Sequence, residues 1–261
     1  MRAQLALVYI GRGRKWLGYF EPIPECSRVK PKQKQTAYSI QLKTSVIPGM
    51  AEPYLVSSPD APERWGQLSD ALASLLDITP TALDWLGIDY PTYKIFGPNK
   101  VQLTGKSILP VLKQEPSTGW DTVFASHDVH AVTDYYPMRV IQKKQLKLIH
   151  NLWYKMPYPI AGDIFTSYTF KDLLERTREG TPTGWIRTLK EYYYRAQWEL
   201  YDLNSDPKEL TNLIDEPAYQ DIVKELRQEL LAWLRTTDDP WICSPGGVLV
   251  GQACQSLDNG A

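Results

Sequence analysis

The stretch MRVIQKKQLKLIHN, residues 138–151, decides the fold of the C-terminal half of this sequence. Two largely apolar runs, residues 138–142 and 146–151, flank the polar triplet Lys143-Lys144-Gln145. Short runs rich in Val, Ile and Leu on either side of a polar turn are typical of a β-hairpin. The pattern therefore predicts two antiparallel neighbours in one sheet.

Further strands and helices are predicted before and after this hairpin in the sequence. Residues 122–126 and Trp198–Asp202 read as strands, and residues 170–178 as a short helix closed by Gly180. A long amphipathic helix is predicted over residues 217–235, with one apolar face formed by Ile222, Val223, Leu226, Leu230 and Trp233. Strands in a hairpin with helices beside them predict an α+β subdomain built on an antiparallel sheet.

The part of the chain before this subdomain has a different pattern of apolar residues. Residues 52–58 read as a short buried strand, and the apolar spacing over residues 68–76 predicts a helix. A second helix is expected to begin with Thr79 as N-cap and Pro80 at its first position, and to stop at Gly87. One strand followed by two helices is what the end of an α/β domain offers.

The first residues stand apart in charge. Residues 1–47 hold nine Lys or Arg and only two acids, although the whole chain has a formal net charge of −1. This segment shows no sustained period and is predicted to be a mostly irregular, basic leader without a convincing signal peptide. The predicted organisation is a leader over 1–47, the end of an α/β domain over 48–120, and the α+β subdomain over 121–261.

Composition narrows the classes of partner. A net charge of −1 gives no reason to expect nucleic acid or a membrane surface as the partner of the whole chain. No apolar run approaches the roughly 20 residues that a membrane-spanning helix needs. We therefore expect neither a nucleic-acid nor a membrane partner.

Three groups of residues are candidates for chemistry. His127 and His130 could share a metal only on a helix face, so a loop histidine that binds a polar ligand, or a plain exposed loop, fits better. The carboxylates of residues 199–213 could supply an acid–base pair, but a strand followed by an Asx-type turn is favoured. The run Tyr192-Tyr193-Tyr194 could stack on sugar rings or simply pack.

The three cysteines leave the redox state open. Cys243 and Cys254 lie close together in a Pro/Gly-rich tail, where a bridge could close a small loop, and Cys26 lies in the leader. Three free thiols are an equal alternative.

Several motifs resemble the sulfatases, and among them the N-sulfoglucosamine sulfohydrolases, which are heparan N-sulfatases. Stretches of this sequence resemble three sulfatase motifs, "LLDIxPTxLD", "GxSLLPLL" and "ELYDLxxDPxExxNL". They correspond to residues 75–84, to residues 105–112 and to residues 199–213. The narrower resemblance rests on pieces spread from Pro48 to Cys243, among them Arg64-Trp65-Gly66-Gln67, Tyr136-Pro137-Met138-Arg139, Pro182-Thr183-Gly184-Trp185 and Asp239-Pro240-Trp241.

The resemblance implies a remnant of a sulfatase (alkaline-phosphatase-like) α/β domain followed by the α+β subdomain. It also implies hydrolysis of the N-sulfate of glucosamine, with a formylglycine made from the cysteine of C-x-P-x-R and with calcium as cofactor. Cys26 is followed by Ser-Arg-Val-Lys, and Cys243 has Gly247 where the motif needs arginine. We therefore expect no catalytic residue and no calcium ligand in these 261 residues, and an inactive chain.

The resemblance carries over a few residues and partners. His130 and Arg139 are candidate substrate-binding residues, Arg139 also being a candidate for fixing the second sheet. Cys243 and Cys254 correspond to cysteines that pair in the family. A glycan derived from heparan sulfate, a homodimer and a lysosomal location are further implications.

Two hypotheses follow. The first is a C-terminal fragment of an N-sulfoglucosamine sulfohydrolase-like sulfatase. The alternative is a non-enzymatic module that pairs with full-length sulfatase or binds sulfated glycan.

Overall fold

The computed structural model describes residues 7–9, 38–43, 51–58, 60–91, 93–94, 100–116, 118–129, 134–184 and 187–242. These residues form two compact units, and the chain passes from the first to the second between Asp121 and Thr122. Within the described ranges, no helix has both the length and the apolar character that a membrane span requires.

The first unit contains a mixed four-stranded sheet. Its strands are β1 (Leu7–Tyr9), β2 (Tyr38–Lys43), β3 (Ala51–Ser57) and β4 (Leu68–Ser69), in the order β1-β3-β2-β4. Strand β3 runs parallel to β1 and antiparallel to β2, and β2 runs parallel to β4.

Strands β1 and β2 are regular structure within residues 1–47, for which the sequence predicts a mostly irregular leader. Tyr38, Ile40 and Leu42 alternate with Ser39, Gln41 and Lys43, which is the period of two of a strand. The alternation is brief and lies beside a basic, proline-containing run, so the leader as a whole shows no sustained pattern. The rest of residues 1–47 lies outside the described part of the chain.

The prediction of a helix over residues 68–76 is wrong. Strand β4 is followed by extended chain, and only Leu75–Asp77 forms a turn of 3₁₀ helix. Ala71, Leu72 and Ala73 are all buried, and the amide of Leu72 donates to the carbonyl of Trp120 at 2.7 Å. A helix cannot bury three successive side chains on one face, so tertiary contacts override the apolar spacing. The core here consists of Val56, Ala71, Ala73, Ile108, Val111 and Leu112.

Helix α1 (Ile78–Leu86) ends as predicted and begins differently. Gly87 closes it in the left-handed conformation at φ 65°. Thr79 is not its N-cap, because the preceding 3₁₀ turn runs directly into α1. That turn is capped by Ser74, whose hydroxyl accepts from Leu76 and whose amide donates to Asp77 Oδ2 at 2.8 Å.

Two sequence motifs interlock around Asp77. Its Oδ1 accepts from the amide of Lys106 at 2.8 Å, and Thr81 Oγ1 accepts from the amide of Ile108 at 3.0 Å. A Cβ added to Gly105 would lie 2.1 Å from the carbonyl oxygen of Leu76, so only glycine fits. Helix α2 (Leu109–Lys113) follows directly.

The second unit contains the predicted antiparallel sheet. Its strands are β5 (Thr122–Val129), β6 (Tyr135–Lys143), β7 (Leu146–Asn151) and β8 (Trp198–Asp202), paired in chain order. The hairpin of β6 and β7 is confirmed, and Lys144 takes the positive φ of 52° in its turn.

Helices complete the second unit. Helices α3 (Gly162–Thr166), α4 (Tyr168–Glu179) and α5 (Leu189–Tyr193) lie in the chain between β7 and β8. Helix α6 (Gln220–Thr236) confirms the long amphipathic helix. It buries Val223, Leu226, Leu230 and Leu234 in one core cluster with Ile141, Leu148 and Leu200 of the sheet.

The outer edge of β8 is covered by the segment that follows it. Asn212 Oδ1 accepts from the amide of Leu200 at 2.8 Å, and Asn212 Nδ2 donates to the carbonyl of Trp198 at 3.1 Å. The amide of Leu213 also donates to the carbonyl of Leu200 at 2.8 Å. The segment after β8 therefore closes an edge that would otherwise expose unpaired backbone groups.

Candidate functional site

Arg139, a predicted substrate-binding residue, lies inside the second unit with a side chain only 2% exposed. Its Nε and Nη2 donate to the two carboxylate oxygens of Asp239 at 2.7 and 3.2 Å. Its Nη1 donates to Asp128 Oδ1 at 2.8 Å and to the carbonyls of His127 and Met138 at 3.3 and 2.9 Å. All three guanidinium nitrogens thus have protein acceptors.

We call the ion-paired group formed by Arg139, Asp128 and Asp239 the clamp. A β-bulge interrupts the pairing of β5 and β6 between His127 and Val129, which is where the clamp holds β5. Burial acts to lower the pKa of Arg139, but its hydrogen bonds to the two aspartates more than offset this and raise the pKa. The geometry favours the sheet-fixing role of Arg139, and a substrate contact stays a prediction.

The other predicted site residues lie outside the described part of the chain. These are His130, the second candidate for substrate contact, and Cys243 and Cys254, whose pairing stays a prediction. In the part that is described, no three His, Cys, Asp or Glu side chains gather as metal ligands would. The described residues therefore do not fit a calcium site.

The first carboxylate of the motif at residues 199–213 lies in a buried polar network. Glu199, 2% exposed, accepts from Arg195 Nε at 2.7 Å and from Arg195 Nη2 at 2.5 Å. It also accepts from Tyr201 at 2.5 Å and from Asn151 Nδ2 at 2.8 Å. Burial acts to raise the pKa of Glu199, but the charge and hydrogen bonds of Arg195 outweigh it and lower the pKa.

The second buried carboxylate of that motif pairs with a lysine from the middle of β7. Lys147 Nζ donates to both carboxylate oxygens of Glu209 at 2.9 Å, with side chains 1% and 5% exposed. Asp202 and Asp206 instead accept from backbone amides of the following turn, at 3.0 and 2.7 Å. Ion pairs and turn bonds occupy these acids, so the structural interpretation is favoured over acid–base chemistry.

A stack of three side chains borders the sheet. The ring centroids of His150 and Trp198 lie 3.7 Å apart and the rings are almost parallel. The guanidinium carbon of Arg227 lies 4.3 Å from the ring centroid of Trp198. Burial first, and then the charges of Arg227 and Arg139, lower the pKa of His150 to about 3. His150 is therefore neutral at physiological and at mildly acidic pH, and it is poorly suited to act as an acid.

The tyrosine run has two kinds of environment. Tyr192 lies in an aromatic cluster, 5.9 Å from Tyr158 and 5.7 Å from Phe170 between ring centroids. Tyr194 is 61% exposed. Packing therefore accounts for the first residue of the run, and stacking on a sugar stays open for the last.

Sequence reasoning missed the partners of these buried charges. Lys147 lies between Leu146 and Leu148 in a strand whose residues are all buried. From sequence alone, a single lysine in a strand is expected to face solvent. The local sequence indicates burial of Lys147 only in that the lysine interrupts an apolar run, and this does not identify its partner. The described residues thus use their buried charges to bind elements of the second unit together.

Three comparisons with known proteins bear on this arrangement. Residues 171–236, from α4 to the end of α6, match the family model "N-sulphoglucosamine sulphohydrolase, C-terminal". Human N-sulphoglucosamine sulphohydrolase is 53% identical over 215 residues, which are 81% of this chain and 42% of the human protein.

More distant proteins also match the chain. An ulvan-active sulfatase of Formosa agariphila is 27% identical over 220 residues, 80% of this chain and 31% of that protein. The solved structure of a phosphonate monoester hydrolase of Agrobacterium radiobacter has a TM-score of 0.44 and 20% identity, over 71% of this chain and 29% of that one. The chain spans less than half the length of each of these relatives.

Proposed function

We propose that this chain belongs to the N-sulfoglucosamine sulfohydrolase family of sulfatases and that it is the scaffold-forming C-terminal portion of such an enzyme. The observation that carries this is the 53% identity to the human relative over 81% of the chain. The buried ion pairs of Arg139, Lys147 and Glu199 support a scaffolding role, because they fix strands and turns to one another.

The reaction belongs to the whole enzyme. Its substrate class is glucosamine carrying an N-sulfate, in glycans derived from heparan sulfate, and the bond broken is that between nitrogen and sulfur. A lysosomal location and assembly as a homodimer are parts of the same proposal, taken from the family resemblance.

The chain by itself does not perform this reaction. A sulfamate needs both an activated nucleophile and a cation that neutralises the sulfate oxygens. The family's nucleophile comes from C-x-P-x-R, a motif that these 261 residues do not contain. Calcium would be held by residues of the enzyme outside this chain, and the described side chains would supply the packed body on which that site is built.

The test is an assay of the purified chain for sulfate release. N-sulfoglucosamine and an aryl sulfate serve as substrates, with and without calcium, and the full-length human relative serves as the positive control. We expect no sulfate above the uncatalysed background. Turnover that disappears in His130→Ala would place a catalytic site in this chain and overturn the proposal.

A further inference from the structure

Two peptide bonds of the second unit join an aspartate to a proline, Asp206–Pro207 and Asp239–Pro240. Bonds of this kind are the peptide bonds most readily hydrolysed in acid. The aspartate carries a nucleophile beside its own carbonyl, and the nitrogen of the leaving proline belongs to a tertiary amide. The structure gives the two carboxylates different partners, so the two bonds are expected to differ in lability.

The reaction needs only the chain, a proton and water. The aspartate carboxylate attacks the carbonyl carbon of the same residue, and a cyclic anhydride forms as the bond from that carbon to the proline nitrogen breaks. The nitrogen takes a proton from the acidic solvent and leaves as the amine of a new N-terminus. Water then opens the anhydride, and aspartate becomes a new C-terminus. The rate depends on how freely the carboxylate reaches its own carbonyl.

The carbonyl that would be attacked is held alike in the two bonds. The carbonyl of Asp206 accepts from the amide of Glu209 at 3.1 Å, and that of Asp239 accepts from the amide of Ile242 at 3.2 Å. In both cases the donor lies three residues further along, as in a β-turn. A donor on the carbonyl oxygen stabilises the negative charge that attack places there. The local turn therefore favours attack in both bonds.

The carboxylates are held differently. Asp239 Oδ2 accepts from Arg139 Nε at 2.7 Å, and Asp239 Oδ1 accepts from Arg139 Nη2 at 3.2 Å and from the amide of Trp241 at 2.8 Å. Asp206 Oδ2 accepts from the amide of Thr211 at 2.7 Å. A guanidinium on both oxygens fixes the plane of a carboxylate and draws on its charge, and a neutral amide does this less strongly. The Asp239 carboxylate is therefore the poorer nucleophile.

We propose that Asp239–Pro240 is an acid-labile cleavage site that Arg139 keeps closed by occupying both oxygens of the Asp239 carboxylate. We call Asp239–Pro240 the guarded bond and Asp206–Pro207 the reference bond. Asp128, the other acid of the clamp, takes no part in the protection. The inference does not depend on the proposed function, although an acidic location such as the lysosome would give the protection its use.

Cleavage of the guarded bond would separate packed residues from the body of the second unit. Trp241 is 8% exposed, and its ring centroid lies 6.1 Å from that of Tyr135. Ile242 packs against the core cluster that α6 shares with the sheet. Both Trp241 and Ile242 follow the guarded bond directly. Arg139 therefore holds the end of this unit in two ways, by the ion pair itself and by preserving the chain.

The experiment compares cleavage at the two bonds of the same chain. The full chain is incubated in an acidic buffer in which circular dichroism shows it to be folded. Mass spectrometry then follows the fragments that begin at Pro207 and at Pro240. Arg139→Gln removes the guanidinium, and Asp128→Asn is the matched control, since it alters the clamp and leaves Arg139 on Asp239. The reference bond reports unfolding, because unfolding would expose both bonds.

We expect Arg139→Gln to raise cleavage of the guarded bond relative to the reference bond at least about tenfold, the effect of losing one charge-assisted hydrogen bond. Asp128→Asn should leave that ratio unchanged. Adding Asp239→Asn to Arg139→Gln should abolish the extra cleavage, because an amide replaces the nucleophile. An unchanged ratio in Arg139→Gln overturns the inference. So does an equal rise at both bonds, or a ratio that Asp128→Asn raises as much.

A measurement on the unsubstituted chain tests the same point if Arg139→Gln does not fold. The rate of cleavage of each bond in the folded chain is divided by its rate in concentrated urea. Folding should slow the guarded bond at least about tenfold more than the reference bond, by the same reasoning. Equal slowing of the two bonds overturns the inference.

Discussion

Replacing Lys147 with methionine measures what the buried ion pair with Glu209 contributes to the second unit. The ammonium lies 2.9 Å from both carboxylate oxygens, and the two side chains are 1% and 5% exposed. Removing one partner leaves a buried charge without its counter-charge, which costs about 3–5 kcal/mol. We expect Lys147→Met to lower the free energy of unfolding by that amount.

The measurement is urea unfolding followed by far-UV circular dichroism, with the slope against urea compared between variants. Lys143→Met is the matched control, because Lys143 pairs with Glu225 and Glu229 at the surface and is itself 29% exposed. Such exposed pairs contribute at most about 1 kcal/mol. The contrast between the two lysines isolates the effect of burial.

A double variant sharpens the test. Replacing a buried pair by apolar residues of similar volume is often neutral, so Lys147→Met with Glu209→Leu should recover stability to within about 1 kcal/mol of the unsubstituted chain. A loss below about 1 kcal/mol for Lys147→Met alone would refute the reasoning. So would a double variant that is as unstable as the single one.

Three further predictions concern other parts of the chain. Gly105→Ala should lower the free energy of unfolding by about 3 kcal/mol, because an added Cβ would overlap the backbone of Leu76. Gly162→Ala, where an added Cβ meets nothing within 4 Å, should change it little, and thermal melts of the two variants test this. The pKa of His150 is about 3 in the folded chain, against about 6.5 unfolded, so the unfolded state binds more protons and stability falls as the pH falls through that window. His150→Phe should flatten this dependence in melts from pH 7 to about 4, and an unchanged slope would contradict the assignment. Cys243 and Cys254 should be joined, so that denatured, non-reduced protein titrates one free thiol rather than three.

Local sequence determined much of the second unit. The hairpin at residues 138–151, the strand Trp198–Asp202 and the helix at residues 217–235 each carry their signal in consecutive residues. A period of two or of 3.6, bounded by a turn, needs no information from elsewhere in the chain. The motifs at residues 75–84 and 199–213 likewise carried the resemblance to the sulfatases without the structure.

Only the tertiary structure decided which charges are buried and which apolar residues are exposed. Nothing in the neighbouring sequence shows that Lys147 and Arg139 are buried, or that Leu86 at the end of α1 is 57% exposed. Burial depends on what lies across from a side chain in space. Glu209, the partner of Lys147, lies 62 residues further along the chain, and Asp239, one of the two acidic partners of Arg139, lies 100 residues further along. No local period carries information over such separations.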